Sequence, residues 1–419
     1  MRTWAEKKAQ EPIGKIRYSG PAFGPEEYDA MMSAVFDGWW SGGKHTLRAE
    51  RKLAQISNRN HALLVNSGSS ANLILMEAVR NLYLKPNDKV LTLACGFPTT
   101  VNAIIKSGLV PVLVDINLET LNLDPQLLMD LGKEIKGVFL PHTLGFKNDI
   151  DALLDISRKN NLITMFDACD AYGTVYKNNP ITHYGKAATL SFYVAHGISC
   201  GEGGAVVTND EDLARVMKGM RNWGKYCSSD NCCIRSEDPS AFCSNTRLTL
   251  DSPIPNDYPV NYIYEWMGYN LKLLELQSAM LSCQIDKLDK FNQIRRNNYR
   301  LLYDYFKQSK FKFRVWNMDE DTVPFSFPLI VPKDAPFIRK HFIDYLKRNK
   351  VESRVIFAGN LMRHPAYYKE KICIQHGSLA NSDLIMDQGL MLGVSQVNDE
   401  KTTLSMIDII DNFLGRLVM

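Results

Sequence analysis

HALLVNSGSSANLILMEAVRNLYLKPNDKVLTLAC, residues 61–95, opens on a short apolar run, breaks at a serine- and glycine-rich turn, and resumes with helical spacing. HALLVNSG and DKVLTLAC are predicted as buried strands, and SSANLILMEAVRNLYL as the helix between them. Working outward, TTVNAIIKSG, DPQLLMDLG and DIDALLDISRKNN continue as helices among the apolar runs VPVLVDI, IKGVFLPH and LITMFDAC. ATLSFYVA and GGAVVTND then follow one another with no helix between. Such alternation predicts an α/β fold with a mostly parallel sheet covered on both faces. Ligands of such sheets bind beyond the carboxyl ends of the strands, which directs attention to the loops there.

EDLARVMKGMRNWG, residues 211–224, reads as a helix, whereas 225–262 lose all periodicity. Residues 275–308 carry helical spacing over many turns and lead out of the first unit. VPFSFPLIVP, KHFIDYLKRN and SRVIFAG then suggest a smaller α+β unit. The expected division is a large domain over 1–295, with an N-terminal arm and a cysteine-rich loop at 225–262, and a small C-terminal domain over 296–419.

A chain of 419 residues, 45% hydrophobic and 23% charged, is that of a globular protein. Its net charge of +3 carries no footprint for nucleic acid. No apolar run approaches the ~20 residues of a membrane span, and MRTWAEKKAQEPIGK lacks the apolar core of a signal peptide. A cytoplasmic protein without membrane or nucleic-acid partners is the expectation. In that setting the nine cysteines are not expected to form disulfides. Cys227, Cys232, Cys233 and Cys243, crowded in polar sequence, read instead as a metal or iron–sulfur site.

Taken one at a time, the other motifs leave alternatives open. In NSGSSAN (66–72) small residues at a helix start suit an anion, and suit an ordinary capped helix equally. FDACDAYG (166–173) ends a strand in acids that could hold a protonated ring nitrogen or merely face solvent. Phe97 in GFPTT could stack on a planar group, although a lone Phe is more often core. Asn270 in GYNLKLLELQSA reads by itself as a helix cap.

In combination and order, these motifs and SFYVAHGI (191–198) resemble the sugar aminotransferase family named for DegT, DnrJ, EryC and StrS. The resemblance implies the aspartate aminotransferase fold (type I) with pyridoxal or pyridoxamine 5'-phosphate. On matching positions it implies that Ser70, Ala71 and Ser191 hold the cofactor phosphate, that Phe97 stacks on the ring, and that Asp167 pairs with the ring nitrogen. It implies that Asn270 reaches the phosphate of the partner subunit, hence a homodimer.

His196 departs from the aminotransferase pattern, where a lysine anchors the cofactor covalently. Imidazole has no primary amine, so the implied cofactor is untethered pyridoxamine phosphate, with His196 as general base. One subgroup is similar: the 3-dehydrases of nucleotide-linked 4-keto-6-deoxyhexoses, most of all the CDP-4-keto-6-deoxyglucose type. Gly197 replaces that subgroup's second histidine. Tyr193 and Asp170 agree with it, and RVIFAGNLMRHPAY (354–367) makes Arg363 a substrate contact. The implied reaction is loss of the 3-hydroxyl as water, feeding 3,6-dideoxyhexose synthesis for surface polysaccharide such as lipopolysaccharide. The CDP type also carries a 2Fe–2S cluster fed by a reductase, with ligand spacing C-x57-C-x-C-x7-C. Cys169 and Cys227 match its first step, whereas Ser229 and Glu237 fill the last two places, leaving Cys232, Cys233 and Cys243 as displaced ligands. The alternatives are a cluster-free dehydratase recharged by glutamate, a sugar aminotransferase with an unusual base, and a silent sugar-nucleotide-binding protein.

Overall fold

The computed structural model describes residues 14–226, 253–255 and 257–417. The predicted strands form as β1 (His61–Val65), β2 (Lys89–Leu93), β3 (Val110–Val114), β4 (Gly137–Pro141) and β5 (Ile163–Asp167). A short ribbon follows, β6 (Val175–Tyr176) with β7 (Asn179–Pro180), then β8 (Ala187–Ser191) and β9 (Gly204–Thr208). β1, β2, β3 and β5 are buried at every position after the first. Covered on both faces, they are mostly apolar rather than alternating.

The C-terminal part adds β10 (Phe327–Ile330), β11 (Ser353–Arg354), β12 (Ile374–Gln375) and β13 (Gly389–Leu392). The large sheet runs β1-β9-β8-β5-β4-β2-β3-β12. Every strand points the same way except β9, antiparallel to both β1 and β8. No helix separates β8 from β9, so the chain returns as a neighbour of opposite sense. The loop that turns it back, residues 192–203, carries His196.

The helix Gly68–Leu82 shows how the layers lock. Ala71, Ile74, Leu75, Ala78 and Val79 recur at helical spacing, are fully buried, and share one apolar cluster with Leu63, Val65 and Val206 of the sheet. Each large aliphatic side chain so buried contributes about 1.5–3 kcal/mol.

The long helical pattern at 275–308 is two helices, Glu275–Asp286 and Leu288–Lys307. The break falls at Lys287, whose ammonium reaches Glu27 at 2.7 Å and Glu26 at 3.1 Å. Beyond it β10, β13 and β11 make an antiparallel sheet of their own. β12 instead crosses back to the large sheet and pairs with β3, Ile374 opposite Val112. Among the described residues no helix is long and apolar enough to cross a membrane.

Candidate active site

β1, β8, β5, β4 and β2 end along one edge of the sheet, and a cleft of about 620 Å³ opens there. Its wall includes the turn after β1. Ser67 caps the following helix, its Oγ accepting from the Ser70 N–H at 3.0 Å. A Cβ on Gly68 would lie 2.6 Å from Ser191 Cβ, and one on Gly204 would lie 2.3 Å from the Ser67 carbonyl oxygen. Only glycines let this turn rest against the ends of β8 and β9. Ser67, Gly68, Ser69 and Ser191 line the cleft, with the helix's opening N–H groups and dipole beside them.

Ser70 and Ala71 are placed differently from expectation. Ser70 Oγ donates to Asn66 Oδ1 at 2.6 Å, and Ala71 is fully buried with its N–H on the Ser67 carbonyl at 3.0 Å. Both N–H groups are used within the helix start, so Gly68 and Ser69 stand at the cleft in their place.

Asp167 closes β5. Its Oδ2 accepts from Asn72 Nδ2 and Thr100 Oγ1, both at 2.8 Å, and its Oδ1 accepts from the Cys169 N–H at 3.2 Å. The carboxylate is 7% exposed and meets three neutral donors without a cation among the described residues. Such a group is completed by a protonated nitrogen arriving in the cleft. Phe97, at the start of the helix that carries Thr100, is 57% exposed and lines the same cleft. Phosphate cradle, ring platform and carboxylate therefore fit a phosphorylated pyridine.

His196 lies in the cleft wall, its Nδ1 3.7 Å from Asp170 Oδ1. The buried Arg295 pins the loop: Nη2 donates to the His196 carbonyl at 3.2 Å, Nη1 to the Phe325 carbonyl at 3.0 Å, and Nε to Gln396 at 2.9 Å. Burial, with the Arg295 charge, pushes the His196 imidazole down to about 3. Burial and the charge of Asp167 push the Asp170 carboxyl up to about 8. At neutral pH the pair thus holds one proton, on Asp170, and the imidazole is a free base.

Tyr193 also lines the cleft, 46% exposed. Arg363 does not: its guanidinium pairs with Asp383 at 3.2 Å and Asp387 at 3.1 Å on the surface. Arg354, from β11, takes the cleft position instead, its guanidinium 5.4 Å from the Tyr18 ring. Neither Arg354 nor Tyr18 was singled out from the sequence; a basic residue within the quoted segment 354–367 was the available signal for the first. Asn270 is exposed, bridges to Asn222, and caps no helix, since the next one begins at Glu275.

Cys169 lines the cleft, and burial with the charges of Asp167 and Asp170 holds its thiol well above the usual range. Cys227, Cys232, Cys233 and Cys243 lie outside the described residues. Among the described residues no three His, Cys, Asp or Glu side chains converge as a metal site.

A type I pyridoxal-phosphate enzyme architecture is what this sheet and cleft define. Residues 21–410 match the DegT/DnrJ/EryC1/StrS aminotransferase family, and the chain belongs to it. It is 33% identical over 384 residues to the lipopolysaccharide biosynthesis protein RfbH of Salmonella typhimurium, covering 90% of this chain and 86% of that one. It is also 33% identical over 390 residues to the dTDP-4-dehydro-2,6-dideoxy-D-glucose 3-dehydratase of Saccharopolyspora spinosa, covering 90% and 82%. Among solved structures, the E. coli GDP-4-keto-6-deoxy-D-mannose-3-dehydratase with bound hydrated PLP superposes with a TM-score of 0.84 at 24% identity, over 94% of this chain and 100% of that one.

Proposed function

We propose that this protein uses pyridoxamine phosphate to remove the 3-hydroxyl of a nucleotide-linked 4-keto-6-deoxyhexose. The observation that carries the reading is His196: a neutral imidazole in the cleft wall, beside Asp170, at the position where aminotransferases of the family carry lysine. Relatives named as sugar 3-dehydratases support it. When bound, the cofactor supplies a primary amine for the 4-keto group and a protonated ring that absorbs electrons as the C3–O bond breaks.

The chain's own residues do the rest. Gly68, Ser69 and Ser191 hold the phosphate, and Phe97 fixes the ring plane. Asp167, oriented by Asn72 and Thr100, keeps the ring nitrogen protonated. With the cofactor bound, His196 would accept the proton released from the cofactor's amine-bearing carbon. Asp170, 3.7 Å away, would offset the imidazolium charge once it gives up its own proton, for which the departing 3-hydroxyl, leaving as water, is an acceptor. Arg354 and Tyr193 face the sugar nucleotide from the cleft wall. Asn270, exposed and outside this chain's cleft, serves the site of a second copy, which makes the working unit a homodimer.

Reductive completion through a 2Fe–2S cluster on Cys169, Cys227 and the cysteines at 232, 233 and 243, with a partner reductase, rests on sequence spacing alone. The test is anaerobic purification, an absorption spectrum, and a dehydration assay with pyridoxamine phosphate. Sulfide-to-iron charge-transfer bands support the cluster, whereas turnover by a colourless protein recharged with glutamate refutes it. A His196→Asn variant that dehydrates at the full rate refutes the assignment of the base.

A further inference from the structure

Arg295, on the helix Leu288–Lys307, is a fully buried cation whose hydrogen-bond partners are all neutral. Nε donates to Gln396 Oε1 at 2.9 Å, Nη1 to the Pro324 and Phe325 carbonyls at 3.3 and 3.0 Å, and Nη2 to the His196 carbonyl at 3.2 Å. Burying a charge among neutral groups costs free energy, so its place in the fold calls for a reason. The acceptors lie on three stretches far apart in sequence. Pro324 and Phe325 lead into β10, Gln396 follows β13, and His196 is on the loop between β8 and β9. A planar fork of donors reaches all three at once, whereas a lysine ammonium cannot span them.

The loop has little else to hold it. From Tyr193 to Ile198 its main chain makes one hydrogen bond beyond β8 and the loop itself among the described residues, the one from Arg295. A Cβ on Gly197 would have a single neighbour within 4 Å, Arg295 Nε, so the loop rests on the guanidinium. Phe325 carries the tie to the side chains. Its ring packs on the His196 ring, centroids 5.2 Å apart, and its N–H donates to the Leu144 carbonyl at 2.9 Å. Leu144 stands at φ 56°, a left-handed backbone rare for leucine, with its own N–H turned to the Asp170 carboxyl. Both members of the His196–Asp170 pair are thus set from Phe325, whose carbonyl Arg295 holds.

We infer that Arg295 is the positioning residue of the base: with Phe325 it seats the His196 loop so that the imidazole stays beside Asp170 and at the cleft. The inference rests on His196 being the base proposed for the dehydration. Arg295 does not line the cleft, and Asp167, Phe97 and the phosphate cradle make no hydrogen bond to it. Its loss therefore slows the proton step without loosening the cofactor.

Full-length Arg295→Met, Arg295→Lys and Gln396→Leu are compared with wild type in three measurements. Hydrogen–deuterium exchange of the purified protein reads the loop directly. Peptides from 192–203 should exchange about tenfold faster or more in Arg295→Met, while those from 61–82 keep the wild-type rate. Single-turnover dehydration with pyridoxamine phosphate should fall on the order of 100-fold, the usual cost of misplacing a reacting group by about 1 Å. Arg295→Lys, whose ammonium still reaches one of the acceptors, should recover part of that loss. Affinity for pyridoxal 5'-phosphate should stay within about threefold of wild type in every variant. Should Arg295→Met fail to fold, Gln396→Leu decides: it frees one arm of the fork, and should quicken exchange of the same peptides and slow turnover severalfold. Wild-type exchange at 192–203 in the deciding variant overturns the inference, and so does quickened exchange with an unchanged rate. A rate loss matched by an equal loss of cofactor affinity and by faster exchange throughout also overturns it, since Arg295 would then support the whole fold. A wild type that dehydrates no 4-keto-6-deoxyhexose nucleotide refutes the reaction itself, and Arg295's role with it, whatever the exchange shows.

Discussion

Asp170→Asn removes a carboxyl oxygen 3.7 Å from His196 Nδ1 while keeping the side chain's size. Two charges at that distance attract by about 4.5 kcal/mol at an effective dielectric of about 20. Asp170 must first release the proton that its raised pKa of about 8 keeps on it at neutral pH, which costs on the order of 1 kcal/mol at pH 7. About 3 kcal/mol then remains to favour the imidazolium as it forms, or roughly a 100-fold loss of rate in the variant. Single-turnover dehydration with pyridoxamine phosphate, run from pH 6 to 9, measures it. The deficit should widen towards pH 8, because wild-type Asp170 then ionises without cost. A deficit below about threefold and flat across that range would refute the pairing. Stability must move the opposite way. Unfolded Asp170 ionises near its ordinary value, whereas the folded protein keeps it protonated up to about pH 8. Wild type therefore carries a penalty that is absent at low pH and grows as pH rises towards 8, and Asn carries none. Thermal melts should show Asp170→Asn gaining on wild type between pH 5 and 8.

Gly68→Ala sets a methyl 2.6 Å from Ser191 Cβ; it should cost about 1–3 kcal/mol in denaturant melts and weaken pyridoxal phosphate binding, and a neutral result would remove the cradle. Phe97→Ala deletes a ring already 57% exposed, so stability should stay within about 0.5 kcal/mol while cofactor affinity falls several-fold by fluorescence titration. Arg354→Ala should raise KM for the sugar nucleotide about tenfold or more, whereas Arg363→Ala, breaking only exposed pairs to Asp383 and Asp387, should leave KM unchanged; the opposite ranking would restore Arg363 as the contact. Two inactive variants, Asn270→Ala and His196→Asn, should regain part of their activity when mixed if sites are shared between subunits.

Local order was legible because it is local. Apolar runs after Gly- and Asn-rich turns, helical spacing from Ser67 onward, and the absence of a helix between β8 and β9 all act within a few residues of chain. The same holds for Asp167, Ser191, Phe97 and His196, which come at strand ends, where a parallel sheet presents its ligands. At 419 residues the sequence alone was enough to set the order of strands and helices and to place a histidine, His196, where the resemblance leads one to expect the family's lysine.

What required the folded chain was every relation between distant segments. Helix register at Ser67 decided that Gly68 and Ser69, rather than Ser70 and Ala71, meet the cleft, since N–H groups already bonded cannot serve a ligand. Packing of β11 against β13 brought Arg354 over Tyr18, 336 positions apart in the chain, and left Arg363 outside. Burial, a property of the whole fold, gave Asp170 and His196 their shifted proton affinities. Sequence carries the side chains' chemistry; which of them share a dry cleft, and in which protonation state, is set only by the tertiary contacts that exclude water.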